Sequence, residues 1–357
     1  MIAHVILDQI GVPIVLAPMA GGPSTPELAA AVSNAGGLGF IAAGYLSAAA
    51  LRDSIASARA MTTGPLGVNL FVPGLRRPAP GTVAVYAATL AGDARLTGVE
   101  LGEARYDNDA WEAKLALLLA DPLPVTSFTF GCPHPDVIKA VQGAGSEAWV
   151  TVTTPAEAEQ AGMAGADVLV VQGSEAGAHR GSFIDDPAED SVRSIGLLSL
   201  LQLVRATTLK PLVAAGGIST GAAVAAALAG GASAAQLGTA FLRSPEAGTA
   251  RVHRDALARP GQTAMTRAFT GRLARGIRNQ FLDEHSQDAP AAYPEVHFLT
   301  APLRAAARSA DNPELVNLWA GQTYELTNDL PAGELVALLA SAARNALAAA
   351  AARLPPA

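Results

Sequence analysis

Eight short apolar runs, each followed by a stretch with helical character, constrain this chain more than anything else in it. The runs fall at residues 13–19, 38–43, 66–71, 125–130, 148–152, 168–171, 211–215 and 234–237. Each has a strand's length and stops at turn residues such as Gly36-Gly37 beforehand or Gly216-Gly217 afterwards. Between them lie helix-start signals: Ser24 or Thr25 before Pro26, Ser47, and Ser219 or Thr220. This alternation predicts parallel strands joined by right-handed crossovers. Eight such units in about 255 residues fit an α/β (β/α)8 TIM barrel; a doubly wound open sheet is the runner-up.

Two segments break the rhythm. Residues 72–80 are proline-rich, and about 81–120 look helical and too long for a standard connection, so about 72–120 is read as an insertion after strand three. Beyond about residue 260 the strand–helix pattern ceases. The expectation is a barrel domain over 1–260, and a mainly helical segment over 261–357 that joins the insertion in a cap over the barrel mouth. Half the residues are hydrophobic and 15% are charged, enough apolar material for one large core plus this appendage.

The chemistry concentrates where strands end. After the run at 168–171 comes Gln172-Gly173-Ser174-Glu175-Ala176-Gly177-Ala178-His179-Arg180-Gly181. A loop this polar, hung off a buried barrel strand, sits where such barrels keep their active sites. Ala17, Pro18, Met19, Asn69, Gln172, Gly177, Gly216, Gly217, Gln236, Leu237, Gly238 and Thr239 also fall at or just after strand ends. Glycines after strands seven and eight match the phosphate-binding end of this fold, with backbone N–H groups facing the anion. Asn69 and Gln172 each carry a donor and an acceptor for the edge of a flat heterocycle. Together they suggest a phosphorylated planar ligand. His179 is the candidate catalytic group, because imidazole can take a proton near neutrality or hold an anion. His134 stands at the mouth of strand four, where it could reach a substrate or cap its helix.

Several classes are disfavoured. The net charge of -7, with no basic block, argues against nucleic-acid and anionic-membrane partners. The six histidines and the single Cys132 show no metal-ligand spacing, and one cysteine allows no internal disulfide. Residues 1–19 are apolar but interrupted by Asp8, Gly11 and Pro13, a poor membrane span without a typical leader; the expectation is a cytoplasmic protein.

The loop QGSEAGAHRGSF closely resembles the signature loop of nitronate monooxygenases. So do APMAGGPSTPELAAAVSNAGGLGF, LGVNLF, TFGCP, VAAGGI, QLGTAFL, FTGRLARGIRN and LWAGQ, in order along nearly the whole chain. The full set, with its LWAGQ tail, is similar to the first class of that family. The resemblance implies FMN held non-covalently at the barrel mouth. Asn69, Gln172, Gly177, Gly216 or Gly217, and Gln236 to Thr239 would contact it, and His179 would be the catalytic histidine. It implies oxidation of an alkyl nitronate by O₂ to a carbonyl compound and nitrite, with propionate 3-nitronate a plausible target and detoxification the role. The expected assembly is a monomer or homodimer. His179 would position the nitronate or deprotonate a neutral nitroalkane.

The chain departs from the family at Ala178, where many relatives carry glycine, and around Tyr293 to Phe298, which leaves Tyr293 an open candidate for substrate contact. An NAD(P)H-dependent flavin reductase acting on a quinone or enoyl thioester shares most of these features, since fold does not fix function. A flavin-free barrel isomerase or lyase acting on a phosphorylated substrate is the third reading.

Overall fold

The computed structural model describes residues 6–74 and 78–354. The expected insertion and tail also include residues 75–77 and 355–357, which lie outside that range. Eight strands form the barrel. They are β1 (Ile14–Leu16), β2 (Gly39–Ala42), β3 (Leu66–Phe71), β4 (Val125–Thr129), β5 (Glu147–Val152), β6 (Val168–Gln172) and, after the two-residue β7 (Ala178–His179), β8 (Leu212–Ala215) and β9 (Ala234–Leu237). All neighbours are parallel, in the order β2-β3-β4-β5-β6-β8-β9-β1. A bridge between Val15 and Leu38 joins β1 to β2 and completes the ring.

Side chains alternate across the barrel wall. Val15, Phe40, Val125, Trp149, Val168, Val170 and Val213 share the interior cluster, while Ile14, Leu16, Leu169 and Val171 join the layer between strands and helices. Bulky side chains thus fill the barrel. Ile6 joins the interior cluster, and its N–H donates to the Glu147 carboxylate, whose other oxygen accepts the buried Trp149 Nε1 proton at 2.8 Å.

The helices of the first part are α1 (Pro26–Asn34), α2 (Ala48–Met61), α3 (Thr82–Thr89), α4 (Ala91–Thr97), α5 (Trp111–Ala120), α6 (Pro135–Gly143), α7 (Pro155–Ala164), α8 (Leu197–Arg205) and α9 (Gly221–Ala229). Local chemistry starts them where expected. Thr25, Ser47, Thr154 and Thr220 each cap their helix by accepting a backbone N–H three residues on. The insertion divides. Its α5 packs on α2 and α6 as an ordinary barrel helix, whereas α3 and α4 rise to meet the tail.

The tail contains α10 (Arg251–Leu257), β10 (Thr263–Thr266), β11 (Ala274–Ile277), α11 (Gln280–His285), α12 (Glu295–Ser309) and α13 (Ala332–Ala351). Tyr86 and Leu90 from the insertion share one buried cluster with Phe269, Phe281, Val296, Leu299 and Leu303, so insertion and tail build the cap together. Two features differ from the sequence reading. The tail is not only helical: β10 and β11 pair antiparallel, and β11 pairs with β7, so the loop after β6 becomes the edge of a second sheet. The helix expected just after strand eight does not complete the barrel, because α10 joins the cap cluster through Val252 and Leu257. Instead α13 packs between α9 and α1, burying Leu335, Val336 and Leu339 in the barrel's outer layer. Among the described residues α13 alone is long and apolar enough to cross a membrane; here that apolar face lies on the barrel.

Candidate active site

A cavity of about 590 Å³ lies between the C-terminal ends of the strands and the cap. That is within the usual size of a small-molecule site, roughly 300–1,000 Å³. Of the strand-end residues singled out in the sequence, Ala17, Pro18, Met19, Asn69, Gln172, Gly177, His179, Gly216, Gly217, Gln236, Leu237, Gly238 and Thr239 line it, and His134 does not.

One end is a glycine-rich cradle. Gly216 and Gly217 have φ of 106° and 67°, backbone that glycine adopts freely. Thr239 Oγ1 accepts the Gly321 N–H at 3.0 Å, and Ser219 and Thr323 pair through their hydroxyls at 2.8 Å. The LWAGQ stretch at 318–322, with Thr323 after it, therefore descends onto the cradle from the tail. A Cβ at Gly177 would stand 2.6 Å from the Gly321 nitrogen, so glycine there permits this approach.

The amide side chains are partly committed. Asn69 donates both Nδ2 hydrogens, to Ser127 Oγ at 2.9 Å and Thr129 Oγ1 at 3.0 Å, which leaves its carbonyl oxygen to a ligand. Gln172 braces its own loop. Its Nε2 donates to His179 O at 3.1 Å, and its Oε1 accepts from Gly181 N at 2.8 Å and Arg180 Nη1 at 3.2 Å. Arg180, 5% exposed, also donates to the Gly173 carbonyl at 2.6 Å. Glu175 accepts the Leu197 N–H at 2.9 Å and so ties the loop to the start of α8. These residues shape the loop that presents His179.

His179 is fixed from several sides. Its backbone pairs with Ala274, and its Nε2 shares a 2.9 Å hydrogen bond with Thr270 Oγ1, which is buried beneath the cap. That leaves Nδ1 available to a ligand. The rings of Phe130, Tyr293 and Trp319 stand 5.7, 5.7 and 5.5 Å from the imidazole. Burial, with Arg272 and Arg304 nearby, pulls its pKa down to about 3, so the ring is neutral at pH 7.

The two candidate substrate contacts fare differently. Tyr293 packs against His179 and Phe130 and donates its hydroxyl to Tyr45 Oη at 3.2 Å, but it backs the cavity rather than lining it. His134 stands outside the cavity. Its side chain is 73% exposed and accepts the Asp136 N–H at 3.3 Å, so its place just before Pro135 makes it the cap of α6. Cys132 is a half-buried free thiol whose pKa burial pushes up to about 11, unsuited to nucleophilic work.

Tyr45, Thr270, Arg304 and Arg308 are among the lining residues that escaped the sequence reading. Tyr45 stacks on His297, another lining residue, with ring centroids 4.3 Å apart. Its backbone is left-handed, φ 68°, and its N–H donates to Asp109 Oδ1 at 2.8 Å. Asp109 in turn pairs at 2.7 Å with Lys114, a fully buried lysine that also donates to Ala43 O at 2.8 Å. Among the described residues, no aspartate or glutamate lines the cavity.

The profile of the nitronate monooxygenase family matches residues 5–341. A Staphylococcus aureus (strain MSSA476) protein named "Probable nitronate monooxygenase" is 37% identical over 334 residues, covering 92% of this chain and 93% of that one. The solved nitroalkane oxidase from Streptomyces ansochromogenes superposes with a TM-score of 0.94 at 50% identity, covering 97% of this chain and 99% of that one. The structure of FabK from Thermotoga maritima superposes with a TM-score of 0.76 at 25% identity, covering 98% of each chain.

Proposed function

Because the chain belongs to the nitronate monooxygenase family, we propose that its cavity holds FMN and an alkyl nitronate together, with the cradle taking the phosphate and His179 facing the substrate. The protein is an oxidoreductase that oxidises nitronates with O₂. The donor set suits a phosphorylated flavin. Gly216, Gly217, Gly238 and Thr239 offer neutral donors, no carboxylate among the described residues lines the cavity to repel the phosphate, and Asn69 and Gln236 supply amides for the edge of a ring. When bound, the flavin supplies the electron transfer between nitronate and O₂.

The chain's own part is placement and charge. Thr270 holds one imidazole nitrogen of His179 while the other faces the ligand. A neutral imidazole accepts or donates a hydrogen bond and does not compete with the substrate for a counter-ion. Ala17, Pro18 and Met19 provide an apolar floor, and Phe130 and Trp319 shield the ring from water. The observation that carries this reading is the meeting of the glycine cradle and His179 in one acid-free cavity. Propionate 3-nitronate as a substrate and detoxification as a role belong to the same proposal. So do a cytoplasmic location, with which one free thiol is compatible, and a monomer or homodimer.

The test is nitrite release from ethyl nitronate by flavin-loaded protein. Nitrite should form only with O₂ present, and His179→Asn should lower turnover of neutral nitroethane by about 10²-fold or more, the usual worth of a positioned acid–base group. Bleaching of the flavin by NADH with no nitrite from any nitronate would instead make the protein a flavin reductase.

A further inference from the structure

The two ends of the cavity are charged differently. Around the strand ends the lining is neutral, whereas α12 brings two guanidinium groups to the roof, Arg304 and Arg308, one helical turn apart. Arg304 is 6% exposed. Its Nε donates to Thr300 Oγ1 at 3.1 Å and its Nη2 to the His297 carbonyl at 2.7 Å, both neutral acceptors on its own helix. Arg308 is half-buried and, among the described residues, donates only to Asn317 Oδ1, at 3.4 Å. Among the described residues, neither has a carboxylate within ion-pairing distance.

Buried guanidiniums that do not line this cavity are matched within the chain, Arg180, Arg272 and Arg275 by carbonyl oxygens and Arg267 by carboxylates. Arg267 is clamped at 2.6 Å by both Asp185 and Asp190. Burying a cation without a counter-ion is costly, and setting a second beside it adds repulsion. A pair left unmatched at the wall of a ligand cavity is matched by the ligand, and guanidinium is the group best suited to paired oxygens.

We propose that Arg304 and Arg308 are specificity-determining residues that read the charge of the substrate, admitting the anionic nitronate in preference to its neutral nitroalkane conjugate acid. This rests on the nitronate reading of the site and adds to it which residues discriminate. His179, held neutral by burial, adds no charge of its own to the site. Arg304 and Arg308 make the cavity roof a fixed positive surface above a neutral floor.

The experiment uses flavin-loaded protein, so that the phosphate cradle is filled, and compares wild type with Arg304→Gln, Arg304→Lys and Arg308→Gln. Inorganic nitrate, a planar anion with no carbon chemistry, is titrated by calorimetry. Ethyl nitronate and nitroethane are then assayed separately at one pH, which is feasible because proton loss from carbon is slow. Wild type should bind nitrate. Arg304→Gln should weaken that binding at least tenfold and lower the nitronate-to-nitroethane ratio of kcat/KM at least tenfold. Arg304→Lys should recover most of both, and Arg308→Gln should move both in the same direction.

Failure of wild type to bind nitrate overturns the proposal. So does an equal loss for both substrate forms with nitrate binding intact, since that would make Arg304 a support for α12. If Arg304→Gln does not fold, Arg308→Gln is judged by the same criteria. The nitrate titration needs no turnover, so a chain that oxidised no nitronate would lose its assigned reaction while the anion surface was still decided on its own.

Discussion

At the scale of single residues, Ala178 is the departure with the clearest physical content. It precedes His179 where many relatives carry glycine, and its φ is 59°, left-handed backbone that disfavours a side chain by about 1–2 kcal/mol. The pairing of β7 with β11 and the brace from Gln172 hold it there. Strain of this kind persists where surrounding structure over-determines it. Ala178→Gly should therefore stabilise the protein by up to about 1 kcal/mol, less the entropy glycine adds to the unfolded chain. A higher midpoint in urea is expected, and an unchanged or lower midpoint would show that the loop carries no strain at this position. His179 was legible in the sequence because its chemistry and its strand-end position coincide. Tyr45 was not, since its importance comes from Asp109, Lys114 and His297, which lie far along the chain.

Elements follow the same division. The strands and their caps could be read because local pattern fixes them, from Val168 to Val171 or from Thr25 to Asn34. In α12 the exception is Pro302, a residue type favoured in the first turn of a helix. It lies inside the helix instead. Pro302 cannot donate to the Phe298 carbonyl, and at that interruption the insertion comes close. Gly102 donates its N–H to Leu299 O at 2.8 Å, and a Cβ there would meet Phe298 O. Once the true start is known, His297, Ala301, Arg304 and Arg308 fall at helical spacing on one stripe, and all four line the cavity. The insertion helix α5 has a comparable hidden role. Burial draws both Lys114 and Asp109 towards their neutral forms, and their ion pair opposes it. Lys114→Met would leave Asp109 without its cation, at a cost of about 3–5 kcal/mol. Chemical denaturation should show that loss, whereas a loss under about 1 kcal/mol would mean that solvent reaches Asp109 freely.

For the whole molecule, three histidines set a common pH response. Burial lowers the pKa of His179 to about 3, of His253 to about 4 and of His297 to about 2, and nearby arginines add to the effect at His179 and His297. Each stays neutral in the fold but takes a proton near pH 6.5 once unfolded. Their contribution is full above about pH 6.5 and falls as the pH drops towards these lowered values, by at most about 1.4 kcal/mol per pH unit for each. Asp109 and Glu147 have carboxyls raised by burial, which act in the opposite sense nearer their own range, so the cleanest window lies between about pH 6.5 and 5. The thermal midpoint should fall across that window, and His297→Phe should flatten the slope. A flat wild-type profile would mean that these rings titrate normally in the fold.

The placement of α13 bears on how the molecule is made. It fills the gap between α9 and α1, yet it emerges from the ribosome roughly 100 residues after β9, with the tail's share of the cap in between. Until then the apolar flanks of both neighbours have no cover, and the nascent cap must settle on an unfinished barrel. Contacts between segments so far apart form late and slowly. That interval is when the newborn chain is most open to chaperone capture, and a stalled ribosome would strand it there.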